Sequence, residues 1–245
     1  MPPRFYLDRP LQTGETLSLP AGAARHVQVL RLQPGAAITL FNGDGAEWLA
    51  DITQMGRSDV SVRIGARTEV DRELALPITL ALGMPANERM DGVIEKATEL
   101  GVAAIQPLMC ERSVLRLRSE RAQKKLAHWQ GVAIAACEQS GRTRVPRIGP
   151  ALSLPEWLAT LPAAGAGAGA RWLLSLRDAQ PLHTLATPAS LICLSGPEGG
   201  LTEAEERAAG AAGFVALSLG PRVLRADTAP LALLSHLALR AQGLR

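Results

Sequence analysis

Two short loops near the end of the chain hold the residues whose types and spacing most invite a chemical role. The first is Ser195-Gly196-Pro197-Glu198-Gly199-Gly200-Leu201. The second is Leu219-Gly220-Pro221-Arg222-Val223-Leu224-Arg225-Ala226-Asp227-Thr228-Ala229. Each follows an apolar run of strand type, residues 191–194 and 214–219. In open α/β sheets, ligands bind beyond the carboxyl ends of strands. Glycine at such a place lets backbone approach a ligand closely. Neither loop matches the Walker pattern or GxGxxG. On the residues alone, two tight strand-to-helix turns without a ligand remain the plainer account.

The elements that must position these loops form a βαβ pattern from residue 77 onward. Residues 78–83 and 102–108 read as buried strands. Between them, Met90, Val93, Ile94, Ala97 and Leu100 recur at helical spacing, and Gly101 ends the helix. Strand–helix–strand at this spacing implies a parallel sheet. A long helix is expected over 119–139, stopped by Gly141, and a strand over 172–176. Thr202-Glu203-Ala204-Glu205 has the form of a capping box and opens another helix. The last helix is expected over 227–242, with Pro230 in its first turn. Residues 163–170, AAGAGAGA, read as a surface linker.

Residues 1–72 have a different rhythm. Runs at 37–41, 47–52 and 60–64 read as strands, the first two separated by the turn Asn42-Gly43-Asp44-Gly45. One helix is expected over 23–32. Several short strands around one helix suggest a small β-barrel. The expected division is therefore 1–72 and 73–245.

Hydrophobic residues make up 47% of the 245 and charged residues 20%, which argues for a packed core and against disorder. The net charge is only +3, but it is uneven. Between residues 112 and 147 stand Arg112, Arg116, Arg118, Arg121, Lys124, Lys125, Arg142, Arg144 and Arg147, opposed only by Glu120 and Glu138. That is the footprint of a phosphate-rich partner, or of a solvated helix face. Cys110, Cys137 and Cys193 are scattered in apolar surroundings and suggest neither disulfides nor a metal knuckle. No secretory signal and no 18-residue apolar run is present, so a cytoplasmic protein is expected.

The motifs GPEGG and LGPRVLRADTA, about twenty residues apart, resemble those of the RsmE family of ribosomal RNA methyltransferases, of the SPOUT class. Arg4-Phe5-Tyr6, the segment His26 to Leu32 (HVQVLRL), Glu95 to Val102 (EKATELGV), Glu111-Arg112-Ser113 and Glu138 to Arg142 (EQSGR) are similar to further family motifs. Leu201 stands where phenylalanine is usual. The resemblance covers nearly the whole chain.

The resemblance implies a PUA-like barrel followed by an α/β SPOUT domain with a C-terminal trefoil knot. It also implies a homodimer and S-adenosylmethionine as methyl donor, held without metal. The implied acceptor is N3 of a uridine of 16S ribosomal RNA, uridine 1498 in the usual numbering, in the small ribosomal subunit. The donor would be held by Leu194, Ser195, Gly196, Pro197, Glu198, Gly199, Gly200, Leu219, Gly220, Val223, Leu224, Arg225, Thr228 and Ala229. Transfer to N3 needs placement of the base and loss of its proton. Arg225, Glu198, Arg142 and Arg112 are the candidates for that work. For Glu198, helix capping or an arginine pair is the favoured role. RNA is expected on Arg4, Arg25, His26, Arg31, Arg112, Arg116, Arg118, Arg142 and Arg144, with Arg142 and Arg144 on a mobile loop. A histidine in a barrel helix is more often a packing residue, and that is the plainer reading of His26. The last helix, apolar at Leu231, Leu233, Leu234, Leu237 and Leu239, needs cover on more than one face, inside the subunit or from a second one. A SPOUT enzyme acting on another RNA, such as transfer RNA, and a non-catalytic RNA-binding assembly factor are the alternatives.

Overall fold

A computed structural model describes residues 2–116, 119–163 and 169–242. Arg118 and residues 164–168 of the expected linker lie outside them. The chain divides into two compact units, Met1–Glu73 with Ile134–Val145, and Leu74–Ala133 with Pro146–Arg245. The expected single boundary thus misses one segment. Residues 134–145 belong with the first unit because they carry its buried polar bonds.

The first unit contains β1 (Arg4–Tyr6), β2 (Thr16–Ser18), α1 (Ala21–Val29), β3 (Ala37–Phe41), β4 (Ala46–Met55) and β5 (Val60–Glu69). They form one five-stranded sheet in the order β1-β3-β4-β5-β2. The turn between β3 and β4 follows from its residues. Asn42 Oδ1 accepts from the Asp44 N–H at 3.2 Å, Asp44 Oδ1 accepts from the Ala46 N–H at 2.9 Å, and Gly43 and Gly45 take positive φ. β4 and β5 run ten residues each, longer than expected, with register shifts at Trp48/Ala50 and Ile52/Gln54 that bend the pair. Alternate residues Trp48, Ala50, Ile52, Val60, Val62 and Ile64 turn inward, and Ala24 and Val27 of α1 close over that core. α1 stops at Val29, short of the expected 32, because Arg31 adopts a positive φ of 55°.

The segment 134–145 is tied in by charge. Arg142 is buried, its Nε donating to Glu73 Oε1 at 3.2 Å and its Nη2 to Glu73 Oε2, while its carbonyl accepts from Arg4 at 3.0 Å. Arg4 also pairs with Glu47 and lies over the Phe41 ring. Glu138 accepts from the Tyr6 N–H at 3.0 Å, and burial lifts its carboxyl above the ordinary range. Hydrogen bonds from Arg72 and Arg4 hold Glu47 below its ordinary value although burial opposes them.

The second unit contains β6 (Ile78–Gly83), α2 (Asn87–Glu99), β7 (Ala104–Met109), α3 (Ser119–Ser140, whose last turns belong to the first unit), β8 (Arg147–Ile148), β9 (Leu152–Ser153), α4 (Leu154–Thr160), β10 (Ala170–Leu174), β11 (Gln180–Pro181), β12 (Leu191–Ser195), α5 (Glu203–Ala211), β13 (Val215–Ser218) and α6 (Thr228–Gln242). The sheet order is β11-β13-β10-β12-β6-β7-β8, with β9 beside β7, and every pairing is parallel. The loops that leave β6, β7, β10, β12 and β13 therefore emerge at one edge. α5 starts at the expected capping box, Thr202 Oγ1 accepting from the Glu205 N–H and Glu205 from the Thr202 N–H. In α6, Leu233, Leu234 and Leu237 are buried within the unit, while Leu239 is 70% exposed. Among the described residues no helix is long and apolar enough to cross a membrane.

Arg142 thus carries stability. Its replacement by Ala leaves the Glu73 carboxylate without its partner and is expected to lower the unfolding free energy by about 3 kcal/mol. Urea denaturation checks this; a loss below about 1 kcal/mol, as for an exposed pair, contradicts it.

Candidate functional site

At the shared edge of the parallel strands lies a cavity of about 490 Å³, a size typical of small-molecule sites. Loops at the strand ends and residues of neighbouring helices supply its walls. Ser195–Leu201 follows β12, Leu219 and 222–226 follow β13, and Leu174–Arg177 follows β10. Arg89 of α2, Arg112 after β7 and Glu206 of α5 complete it. The walls combine apolar Leu174, Leu217, Leu219 and Leu224 with backbone and a few charges.

The first loop is a tight turn, the Gly200 N–H donating to the Pro197 carbonyl at 2.8 Å with Gly200 at φ +68°. It sits directly on β6. A Cβ built on Gly83 would fall 2.5 Å from Pro197 Cδ and 2.6 Å from its nitrogen. Only glycine at the end of β6 admits the loop. Gly199 serves a related purpose: a Cβ there would meet the Arg112 side chain at 3.0 Å. Its place leaves room for Arg112, whose Nη1 donates to the Gly199 carbonyl at 2.9 Å. A second tie runs beside it, Glu205 accepting from the Glu111 N–H at 2.8 Å. The second loop turns at Gly220, φ +116°, whose N–H is held by Ser218 Oγ at 3.2 Å.

Glu198 is already engaged. Its Oε1 accepts from the Ala86 N–H at 3.0 Å and lies 3.8 Å from Arg89. It caps the start of α2 rather than α5, and it has its arginine. Across the cavity, Glu206 accepts from Ser175 Oγ at 3.3 Å and pairs with Arg177 at 3.6 Å. Cys110, beside Gly83, has its thiol pushed up to about 12, chiefly by burial, which removes it as a nucleophile. Burial does the same to Cys137 and Cys193.

Of the residues expected at a donor, Ser195 to Gly200, Leu219, Val223, Leu224, Arg225 and Ala229 line the cavity. Leu194 is buried in the core behind it, Gly220 makes the turn, and Thr228 begins α6. Arg112, Glu198 and Arg225 face the same cavity, but Arg142 is in the first unit, spent on Glu73. The expectation that Arg142 rides a mobile loop toward a base is corrected accordingly. Arg4 is likewise buried and paired, so its charge faces Glu47 rather than RNA. Arg144 lies against Gly45 in the first unit. Arg25, His26 and Arg31 are exposed on α1 and its end, with His26 edge-on to Phe5 at 5.4 Å. Arg116 donates to the Glu111 carbonyl at 2.9 Å and is exposed. The sequence reading missed Gly83, Arg89, Leu174 to Arg177 and Glu206. Their spacing carries no motif; only the parallel order of the strands brings them to one edge.

A model of the RNA methyltransferase domain matches residues 72–238, and a model of the RNA methyltransferase PUA domain matches 19–65. The chain is 31% identical to ribosomal RNA small subunit methyltransferase E of Bacillus subtilis, over 99% of this chain and 98% of that one. The chain belongs to this RNA methyltransferase family. The Mycobacterium tuberculosis enzyme of the same name is 32% identical over 92% of this chain and 87% of its own. The crystal structure of ribosomal RNA small subunit methyltransferase E from Neisseria gonorrhoeae bound to S-adenosyl methionine superposes with a TM-score of 0.90, at 39% identity and 98% coverage of both chains. A Legionella pneumophila methyltransferase in complex with SAM gives 0.92, at 36% identity and the same coverage. A buried Leu201, in the family-like loop, packs into the core behind it without disturbing the turn.

The seat of Pro197 on Gly83 makes a direct prediction. Gly83→Ala forces the 196–200 turn away from β6 and is expected to weaken S-adenosylhomocysteine binding by about tenfold or more, the loss of one or two well-made hydrogen bonds. Calorimetry reads this; unchanged affinity in a folded variant contradicts it.

Proposed function

We propose that the chain transfers a methyl group from S-adenosylmethionine to N3 of a uridine in 16S ribosomal RNA, position 1498 in the usual numbering. The observation that carries this reading is the 490 Å³ cavity built on two family motifs at the strand edge. The residues fit such a donor. Leucines and loop backbone suit an adenine, and the carboxylates Glu198 and Glu206 suit hydroxyls and cationic groups. A protein that only bound RNA would have no use for this cavity. The relatives' names support a small-subunit RNA acceptor, and family membership supports a SPOUT-type knot, a homodimer and a cytoplasmic setting. The exposed Leu239 of α6 and Val223 of the second loop are consistent with cover by a second subunit.

The donor supplies a methyl carbon on a positive sulfonium, activated for in-line displacement. The chain's own residues must then place N3 and ease loss of its proton. Arg112 and Arg225 face the cavity, and a guanidinium offers donors and no acceptor, so neither is assigned as the base. Their role is to stabilise the negative charge that grows on the base as its proton departs to water. Arg112 is fixed for this by its bond to the Gly199 carbonyl. Glu198 holds the start of α2 and Arg89 in place. Exposed Arg116 suits the phosphate backbone beside the target.

Two measurements check this. Purified protein given methyl-labelled donor and small-subunit RNA should yield label in 3-methyluridine; label in another nucleoside, or only in transfer RNA, contradicts the reading. Arg116→Ala should weaken RNA binding and reduce the slope of log affinity against log salt by about one, leaving donor affinity intact. An unaltered slope contradicts the phosphate role.

A further inference from the structure

The carboxylate of Glu205 has two oxygens, and the helix it opens needs only one of them. Oε2 accepts from the Thr202 N–H at 2.8 Å and closes the capping box at the start of α5. Oε1 accepts instead from the Glu111 N–H at 2.8 Å, in the loop after β7. We infer that Glu205 is a positioning residue of the methyl-transfer reaction: through the Glu111 peptide it sets Arg112 and Arg116 against the loop that follows β12. The inference rests on the function proposed above and adds to it a residue outside the cavity wall.

Three observations carry it. First, the chain holds a second capping box for comparison. At the start of α4, Glu156 accepts from the Ser153 N–H at 3.0 Å and from the Ser153 hydroxyl at 2.7 Å, both through the same oxygen, Oε2. One oxygen completes that cap, so the second bond of Glu205 is an addition to it. Second, the bond spans a distance that no local motif requires. β6 lies between β12 and β7, which sets them two strand spacings apart, about 10 Å. The loop after β12 crosses that gap over Gly83, at the end of β6. Third, the Glu111 peptide is bonded on both sides. Its N–H goes to Glu205, and its carbonyl accepts from Arg116 at 2.9 Å. The turn around it is closed by buried Ser113, whose Oγ accepts from the Cys110 N–H at 3.0 Å and whose N–H donates to the Cys110 carbonyl at 3.1 Å. Arg112 leaves this turn with its stem along Gly199 and its Nη1 on the Gly199 carbonyl at 2.9 Å. A guanidinium held at its tip alone can pivot. Held at its backbone as well, it is preorganised for the charge that grows on the base. The arginines that suit the base and the phosphate thus take their places from one peptide plane, and Glu205 fixes that plane to the donor side.

A cap and nothing more competes with this, and substitution separates the two roles. Glu205→Gln keeps an oxygen for the Thr202 N–H, as a capping box allows, but its amide turns a donor toward the Glu111 N–H. Thr202→Ala does the reverse. It removes the hydroxyl that accepts from the Glu205 N–H at 3.3 Å and leaves the carboxylate in place. The full chain and both variants are given saturating S-adenosylmethionine and small-subunit RNA. The single-turnover rate of methyl transfer is read beside the calorimetric affinity for S-adenosylhomocysteine. Glu205→Gln should slow transfer by about tenfold, the worth of one hydrogen bond to a charged group, and keep S-adenosylhomocysteine affinity within about twofold of wild type. Thr202→Ala should melt at a lower temperature yet keep the rate within about twofold. In an Arg112→Ala background, Glu205→Gln should cost less than about twofold more, because the group it places is gone. A wild-type rate in Glu205→Gln, an equal loss of rate in Thr202→Ala, a parallel loss of S-adenosylhomocysteine affinity, or a full effect in the absence of Arg112 each overturns the inference and leaves the methyl-transfer reading standing. A wild-type chain that binds S-adenosylhomocysteine but transfers no methyl group to small-subunit RNA overturns both.

Discussion

The close approach of Pro197 to Gly83 is the contact on which the cavity depends. The loop after β12 forms its part of the wall by lying flat on the end of the neighbouring strand β6. Here the strand next to β12 ends in a residue without a side chain, and the proline ring occupies the space. The turn that begins at Pro197 is then locked from its far side by the Arg112 guanidinium on the Gly199 carbonyl and by Glu205 on the Glu111 N–H. Each bond is ordinary in strength. Together they fix the loop after β12 to the loop after β7, the two segments that a donor and an acceptor would touch.

This arrangement explains the use of glycine better than ligand approach does. Gly83 and Gly199 are small so that Pro197 and Arg112 fit, whereas Gly200 and Gly220 are needed for their positive φ. The cavity is a consequence of these packing choices. Its charges are mostly engaged before any ligand arrives, Glu198 with the start of α2 and Glu206 with Ser175, which lowers the ordering that binding requires.

Much of this was legible in the residues. The turn at Asn42-Gly43-Asp44-Gly45, the helix ended by Gly101 and the capping box at Thr202 each follow from local chemistry, and local chemistry is what sequence displays. The cavity loops were legible only as motifs. What stayed hidden depends on distant partners. Arg142 sits in a basic stretch, and nothing nearby reveals that its charge is spent on Glu73, 69 residues away. Arg4 reads as a cation at the chain start, yet Glu47 and the Arg142 carbonyl consume it. Gly83 reads as the end of a strand. Glu206 reads as one of three acids in a helix turn, and only the strand order places it on the cavity wall. Among the described residues the basic cluster is therefore divided between a buried tie in the first unit and exposed groups such as Arg116 in the second.

The account turns on a chemical change in ribosomal RNA, and that change can be read in the cell. Small-subunit RNA from cells lacking the gene, and from the same cells carrying it on a plasmid, is digested and its modified nucleosides are mapped by mass spectrometry. The account predicts that one 3-methyluridine is missing without the gene and returns with it. An unchanged 3-methyluridine in the deleted strain, or the loss of a different modification, would contradict it.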